Sequence, residues 1–537
     1  MTNPVGQKTE PQETVTITID GVQTSVPKGA RIIEAAEMMG KGIAHYCYHP
    51  ALSAPAMCRM CLVEVEGAPK LQPACVTQVV EGQVIHTESD KAREARQGTL
   101  EFYLVNHPLD CPVCDAAGEC KLQDFVHAEG RKHGRSLEAK RVLGMDDFGG
   151  DVAYDGDRCI MCTRCVRFMR EIAGNDALCV VQRGHRSVID TFFEDGLAGD
   201  MWAGNIIDIC PVGALLSKDF LHKARAWDLD GAPSICPNCS QGCNIRIDTR
   251  DNLVQRLKPR VNSAVNSHWM CDYGRYRYEW FNKKDRIETP LVRTGDRLSA
   301  SNWQQAMVAL VERLKTLKGR GGVTAVASPF HGNEDIAMLA RLANVLGGGE
   351  LTFRAEQGEE VVCPGFPKLA RRKDLAANVR GAQSFGFKRD TTFSPRKANV
   401  LIVVGDELDE APANFGADAD LFIYLGATLS AAARNAHFVL PITIFAEQEG
   451  TFTNFEGRVQ RFWPALQPPP LARPAWQVLG VILSGLDDAP VPASAADAFA
   501  RIGNWFDEFA GMSYDTIGTK GALLNEPVRI PAGKGGV

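Results

Sequence analysis

Apolar and polar residues alternate along Val15-Thr16-Ile17-Thr18-Ile19, a period of two that predicts a strand. Asp20-Gly21 follows as a two-residue hairpin turn, and Val22–Val26 returns as its partner. Pro27-Lys28-Gly29 then leads into a helical stretch, Ala30–Met39, stopped by Gly40. Glu64 and Val65 continue a later strand, and Ala92–Val105 has helical spacing. Residues 1–13 are polar and read as frayed, and residues 130–150 read as a charged, then Gly-rich connector. Beyond residue 286 the pattern changes. Helical spacing over Trp303–Leu317 and Asp335–Leu346 alternates with buried-type strands at Val323–Ala327, Val400–Val404 and Leu421–Leu425. Such alternation predicts a layered parallel sheet. Pro468-Pro469-Pro470 reads as a linker before a last helix, Trp476–Leu483.

Composition adds limits. The chain has 537 residues, 45% hydrophobic and 23% charged, enough for three or four ordinary globular domains. A formal net charge of −6 argues against a chain built to grip nucleic acid. The longest apolar run, Leu421–Ala427, is less than half of the roughly 18 residues a membrane helix needs, so no span is expected. The N-terminus lacks the apolar core of a secretory signal.

Cysteine changes the picture most. Of 17 cysteines, 16 lie within residues 47–271, and only Cys363 follows. In a large chain without a signal this density points to metal binding. Cys47, Cys58, Cys61 and Cys75 follow the hairpin and helix in the order of a small β-grasp ferredoxin, and suit a [2Fe–2S] cluster. His107, Cys111, Cys114 and Cys120 suit a [4Fe–4S] cluster with one imidazole ligand. For both groups a structural zinc site is the alternative.

The third group is the most specific. Cys159-x2-Cys162-x2-Cys165 is completed by Cys210-Pro211, as in two-cluster bacterial ferredoxins, where the fourth Cys of each run serves the other cluster. A second cluster would need cysteine at positions held here by Met169, Asp200, Ala203 and Ile206. One complete ligand set is therefore kept and the other wholly lost, a pattern zinc gives no reason for. Cys236, Cys239, Cys243 and Cys271 form a fourth group; zinc ribbons have similar spacing, and a third [4Fe–4S] cluster is the reading in company with the others. Cys179, in Ala-Leu-Cys-Val-Val, reads as a buried small hydrophobe, and Cys363, before Pro364, as an ordinary loop thiol.

With these motifs the chain resembles the large iron–sulfur subunit, the 75-kDa type, of bacterial respiratory complex I, NADH:quinone oxidoreductase. The resemblance rests on His45-Tyr46-Cys47-Tyr48-His49-Pro50, Cys58-Arg59-Met60-Cys61-Leu62-Val63-Glu64-Val65 and Asn106-His107-Pro108-Leu109-Asp110-Cys111-Pro112-Val113-Cys114-Asp115. It rests equally on Arg158–Phe168 and on Asn205-Ile206-Ile207-Asp208-Ile209-Cys210-Pro211-Val212-Gly213-Ala214-Leu215. Phe438-Val439-Leu440-Pro441 and Gly450–Gln460 resemble molybdopterin oxidoreductases.

The resemblance implies a multidomain α+β and α/β chain. Its parts would be a β-grasp [2Fe–2S] ferredoxin domain (14–92), a [4Fe–4S] domain with one histidine and three cysteine ligands (93–140), a ferredoxin-like domain with one cluster lost (141–228), a [4Fe–4S] domain of molybdopterin-oxidoreductase type (229–285) and a truncated, degenerate molybdopterin-oxidoreductase-like domain (286–537). It implies one [2Fe–2S] and three [4Fe–4S] clusters and no molybdopterin. The fourth group is kept in some bacterial members and lacking in mitochondrial ones. Electrons would enter from a flavin subunit that oxidises NADH and leave toward a quinone-reducing module, coupled in the whole complex to proton translocation. The chain would be part of an enzyme with no substrate site of its own, in a peripheral arm on the cytoplasmic side of the bacterial inner membrane, beside other peripheral-arm subunits.

The rival is an NAD-linked formate dehydrogenase or a hydrogenase. Catalytic molybdenum relatives place a lysine two residues after the fourth cluster cysteine, where Tyr273 stands here, beside Asp272. Cys363 is followed by Pro364-Gly365 rather than the histidine of formate dehydrogenases. A hydrogenase needs a further cysteine set that the C-terminal half lacks. No strand–GxGxxG–helix fingerprint appears, so NADH and flavin would bind elsewhere.

Overall fold

The computed structural model describes residues 13–192, 194–390, 392–393 and 398–525. Residues 1–12, read from sequence as frayed, lie outside that set. The chain divides into two compact units, residues 1–228 and 229–537.

In the first unit the predicted hairpin forms as Thr14–Ile19 and Val22–Pro27, with Thr14 opposite Pro27. Asp20 and Gly21 both take positive φ (48° and 80°), as the tight turn requires. Val84–His86, a strand the pattern left unread, lies parallel to Thr14–Ile19. Leu62–Val65, the full extent of the strand read at Glu64 and Val65, pairs antiparallel with Val84–His86. Ile17, Ile19, Ile32, Val63 and Ile85 fill the core beneath. The helix begins two residues later than expected, at Ile32, and ends at Met38. Asp90–Asn106 is a longer helix than the expected Ala92–Val105 because Ser89 caps it, its Oγ accepting from Ala92 N.

In the second unit three strands come first, Asp230–Ile235, Asn244–Arg250 and Leu253–Pro259, joined antiparallel in that order. An eight-stranded sheet follows. Its core is parallel: Phe438–Pro441, Leu421–Gly426, Val400–Val404, Val323–Ala327, Gly349–Phe353 and Lys388–Arg389 lie side by side in that order. An antiparallel hairpin, Leu291–Thr294 and Arg297–Ala300, closes the edge beside Phe438–Pro441. Trp303–Leu317 is helical as read, and the next helix is Asn333–Val345. Both pack on Ala325, Ile402 and Ile423, one face of the sheet.

Two expectations need correction. Ala475–Asp487, the counterpart of the expected last helix, is followed by Ala495–Ile502 and Tyr514–Ile517, which bury Phe499 and Tyr514 in the same core. Cys179 is half-exposed rather than buried. It sits on the two-stranded hairpin Leu178–Val181 and Val188–Thr191, its thiol bonded to Asp190 O at 3.6 Å. Cys363, read as an ordinary loop thiol, is buried; its N–H donates to Leu369 O across a short turn.

Candidate metal centres

The structure gathers the four sulfurs of the first group. Cys47, Cys58, Cys61 and Cys75 are all buried, each within 4% of full closure. Cys47 bonds to both Cys58 and Cys75, and Cys61 to Cys75. The neighbouring thiols and the Met57 and Cys58 amides hold Cys47 low, while its partners Cys58 and Cys75 are pushed up. Arg59 takes positive φ (58°) between Cys58 and Cys61, a backbone setting uncommon for a side chain of its size and common where a loop wraps a site.

His107 caps the C-terminus of helix Asp90–Asn106, which fixes the imidazole at the start of the loop that carries Cys111 and Cys114. Burial lowers its pKa, so the ring is neutral near pH 7, the form that can ligate. The ring bonds to the Arg158 backbone, yet Nδ1 is buried without any partner. An orphaned buried nitrogen is costly and calls for an acceptor of its lone pair. Cys114 and Cys120 are buried, and Cys111 is exposed.

The third group lines a cavity. Cys159, Cys162, Cys165 and Cys210 all face it, with Tyr154, Ile160, Ile189 and Leu215 among the other walls. Burial raises all four thiols. Met161 and Thr163 both take positive φ (54° and 58°), and Met161 N reaches Cys159 Sγ at 3.4 Å. Tyr154 hydroxyl also bonds to Cys159. At the positions where a second cluster would need cysteine, Met169, Ala203 and Ile206 are buried, and Asp200 accepts from Trp202 N and Asn175 Nδ2.

The second and third groups share main chain. A Cβ on Gly213 would run into Cys114 Sγ, so only glycine lets this backbone pass the sulfur. Lys121 N, directly after Cys120, donates to Pro211 O, directly after Cys210, at 3.0 Å.

The fourth group stands in the second unit. Cys236 N donates to Cys243 O at 2.8 Å, and Cys271 caps the short helix Asp272–Tyr276, its sulfur accepting from Gly274 N. Burial raises all four thiols here too. A Cβ on Gly274 would lie 2.9 Å from Cys236 Sγ and 3.6 Å from Cys271 Sγ. The α/β part covers the loop: Ser240 N donates to Asp374 O, Arg372 Nε to Gln241 Oε1, and Gln460 Nε2 to Gly242 O. Tyr273, at the lysine position of catalytic relatives, lies under the guanidinium groups of Arg277 (4.7 Å) and Arg371 (5.2 Å).

Ligands in open parallel sheets bind beyond the carboxyl ends of the strands. Beyond Val323–Ala327 and beside Gly405 that ground is filled by the chain itself, whereas Arg354, Asp390, Thr392 and Leu408 line a cavity toward the Gly349–Phe353 edge. His331 rests on Gly405, where a Cβ would collide with the ring. Glu334, Asp335, Asn333, Asn378, Thr451 and Thr453 are buried, and hydrogen bonds tie Asn333, Glu334 and Asn378 to the two threonines. Sequence reading missed this network; His331-Gly332-Asn333-Glu334-Asp335 at a strand end was the signal available.

Grouped cysteines on left-handed loops, amide-to-sulfur bonds and a largely parallel sheet define a class: a multi-site ferredoxin-like protein with an α/β domain. Family models agree along the chain. The matches are "2Fe-2S iron-sulfur cluster binding domain" over residues 12–90 and "NADH-ubiquinone oxidoreductase-G iron-sulfur binding region" over 96–135. "NADH-quinone oxidoreductase subunit 3, ferredoxin-like domain" covers 149–216 and "NADH-ubiquinone oxidoreductase NDSU1/NuoG-like, 4Fe-4S domain" covers 238–279. "Molybdopterin oxidoreductase" covers 373–484.

Among curated relatives, the G subunit of NADH-quinone oxidoreductase from Rickettsia felis is 39% identical over 62% of this chain and 49% of its own length. The mitochondrial NADH-ubiquinone oxidoreductase 78 kDa subunit of Candida albicans is 40% identical over 64% of this chain and 48% of its own. The G subunit from Mycobacterium bovis is 34% identical over 97% of this chain and 64% of its own. The chain is a homologue of the NADH-quinone oxidoreductase G subunits, similar to one of them along 97% of its own length. It spans about half the length of the first curated relatives it matches.

Proposed function

We propose that the chain is the electron-conducting subunit of an NADH:quinone oxidoreductase. It would take electrons from a flavin subunit that oxidises NADH and pass them toward the quinone site, on the cytoplasmic face of a bacterial inner membrane. Among the described residues no helix is long and apolar enough to cross a membrane, consistent with a place in a peripheral arm. The observation that carries the reading is the closeness of three candidate sites in one unit. Gly213, Lys121 and Arg158 join the second site to the third, and Arg164 joins the third to the first.

In this reading Cys47, Cys58, Cys61 and Cys75 hold a [2Fe–2S] cluster. His107 with Cys111, Cys114 and Cys120, then Cys159, Cys162, Cys165 and Cys210, then Cys236, Cys239, Cys243 and Cys271 hold three [4Fe–4S] clusters. Iron–sulfur clusters would supply centres that accept and release one electron each. The residues do the rest. The loops orient the sulfurs, amides and the Tyr154 hydroxyl donate to them, and apolar walls such as Ile160 and Leu215 exclude water. Met169, Ala203 and Ile206 support the loss of a second ferredoxin cluster, because apolar side chains pack where its ligands would stand.

The packing of His331 on Gly405 and the buried network of Glu334 with Thr451 support a C-terminal domain that binds no pterin and serves as a cover for the fourth site. Tyr273 between Arg277 and Arg371 offers no lysine-like ammonium between cluster and pterin, which favours the conducting subunit over formate dehydrogenase. Metal and pterin analysis of the anaerobically purified chain tests this. About one molybdenum or tungsten per chain, with formate-dependent reduction, would overturn it.

A further inference from the structure

Arg164 and Arg167 belong to the Cys-Thr-Arg-Cys-Val-Arg run of the third group, and neither is a cluster ligand in the function proposed above. Arg164 is 5% exposed. Its Nη1 donates to Ile209 O at 3.1 Å, next to Cys210, and its Nη2 donates to Tyr48 O, next to Cys47. Its Nε is buried without a partner. Arg167 Nη2 donates to Cys47 O at 2.5 Å and to Cys162 O at 3.3 Å, and its Nη1 to Ser53 O. Glu171, the nearby carboxylate, is directed at Ser53 N and Oγ instead.

Two guanidinium groups are thus held by carbonyls and, at Arg167 Nε, by the Thr163 hydroxyl, between the first and third groups, with no carboxylate bonded to either among the described residues. A buried cation without a counter-charge is strongly disfavoured. The groups that would carry the opposite sign in the proposed function are the ligand sulfurs, and Arg164 is bonded to the carbonyls next to Cys210 and next to Cys47. Those sulfurs come from both candidate sites, so the missing counter-charge is anionic and shared.

We propose that Arg164 and Arg167 form a common cationic bridge between the Cys47 and Cys159 sites, raising the reduction potential of both clusters and joining their ligand loops. They are positioning residues: they touch the carbonyls of ligand residues rather than the irons. Adding an electron makes a cluster more negative, and a nearby fixed cation favours that state at each site. The proposal rests on the cluster assignments above.

The test is an EPR-monitored redox titration of the anaerobically purified chain and of Arg164→Gln. With iron content unchanged, both midpoints should fall together by about 59 mV, a tenfold shift in each one-electron equilibrium. The His107-site signal should stay where it is. If Arg164→Gln fails to load, Arg167→Gln carries the test with the same direction at both sites, and Arg164→Lys should load with midpoints near the parent's. Loaded clusters with unmoved midpoints, or a shift at one site alone, would overturn the bridge. Absence of a [2Fe–2S] or of the third-site signal in the parent chain would instead overturn the assignments, and the bridge with them.

Discussion

Arg158 grips Asp110: its Nε and Nη2 both donate to Asp110 Oδ2, at 3.0 and 2.5 Å. Arg158 precedes Cys159, and Asp110 precedes Cys111, so one ion pair fixes the entrances of two ligand loops that lie 48 residues apart. Arg158 is nearly buried and also meets Asp155 at 3.2 Å. Charge-assisted bonds of this kind are worth about 1.5–3 kcal/mol. Asp110→Asn keeps one acceptor and should cost about half of that range. Arg158→Ala leaves Asp110 and Asp155 without their cation and should cost the whole of it. Urea midpoints of the loaded chain measure the cost. Iron lost from the second and third sites, with the [2Fe–2S] signal intact, is the expected companion.

His107 gives a second prediction. Its unpartnered Nδ1 and neutral ring suit a ligand. His107→Ala should abolish the second-site EPR signal and remove iron, leaving the Cys47 site intact. His107→Cys should keep the cluster and lower its potential, because a thiolate adds one negative charge. An unchanged spectrum and iron count in the alanine variant would strike His107 from the ligand set.

Glu334 predicts a pH effect in the second unit. Burial raises its pKa from 4.5 to about 8, and it accepts from Thr451 N, Thr451 Oγ1 and Tyr514 OH. The folded state therefore keeps a proton that the unfolded chain releases above pH 4.5. Its stabilising contribution is complete below pH 4.5 and is lost as pH rises toward 8, by about 1.4 kcal/mol per unit. Thermal unfolding should show a falling Tm across that window in the parent and a flatter profile in Glu334→Gln. Equal slopes in the two proteins would contradict the buried, protonated carboxyl.

Much of this was legible in the chain. Ligand spacing is local, so all sixteen candidate ligands could be read from motifs, and strongly periodic elements such as Trp303–Leu317 and Val400–Val404 appear with the expected ends. Asn244–Arg250 was missed because a strand written Asn-Ile-Arg-Ile-Asp-Thr-Arg buries polar residues through partners distant in sequence; Asn244 Nδ2, for one, donates to Gln460. Gly349–Phe353 was missed because its glycine start reads only as a helix stop. Cys179 misled because an apolar run on an exposed hairpin looks like a core strand until its partner is known. The Arg158–Asp110 pair and the arginine bridge have no local signature at all: both join residues that only the fold brings together.

The central claim is that sixteen residues hold four clusters. Iron, acid-labile sulfide and zinc measured on the anaerobically purified chain test it most directly. The account predicts about 14 iron atoms per chain, the sum for one [2Fe–2S] and three [4Fe–4S] clusters, with matching sulfide and little zinc. Stoichiometric zinc, with iron reduced by a whole cluster, would contradict it.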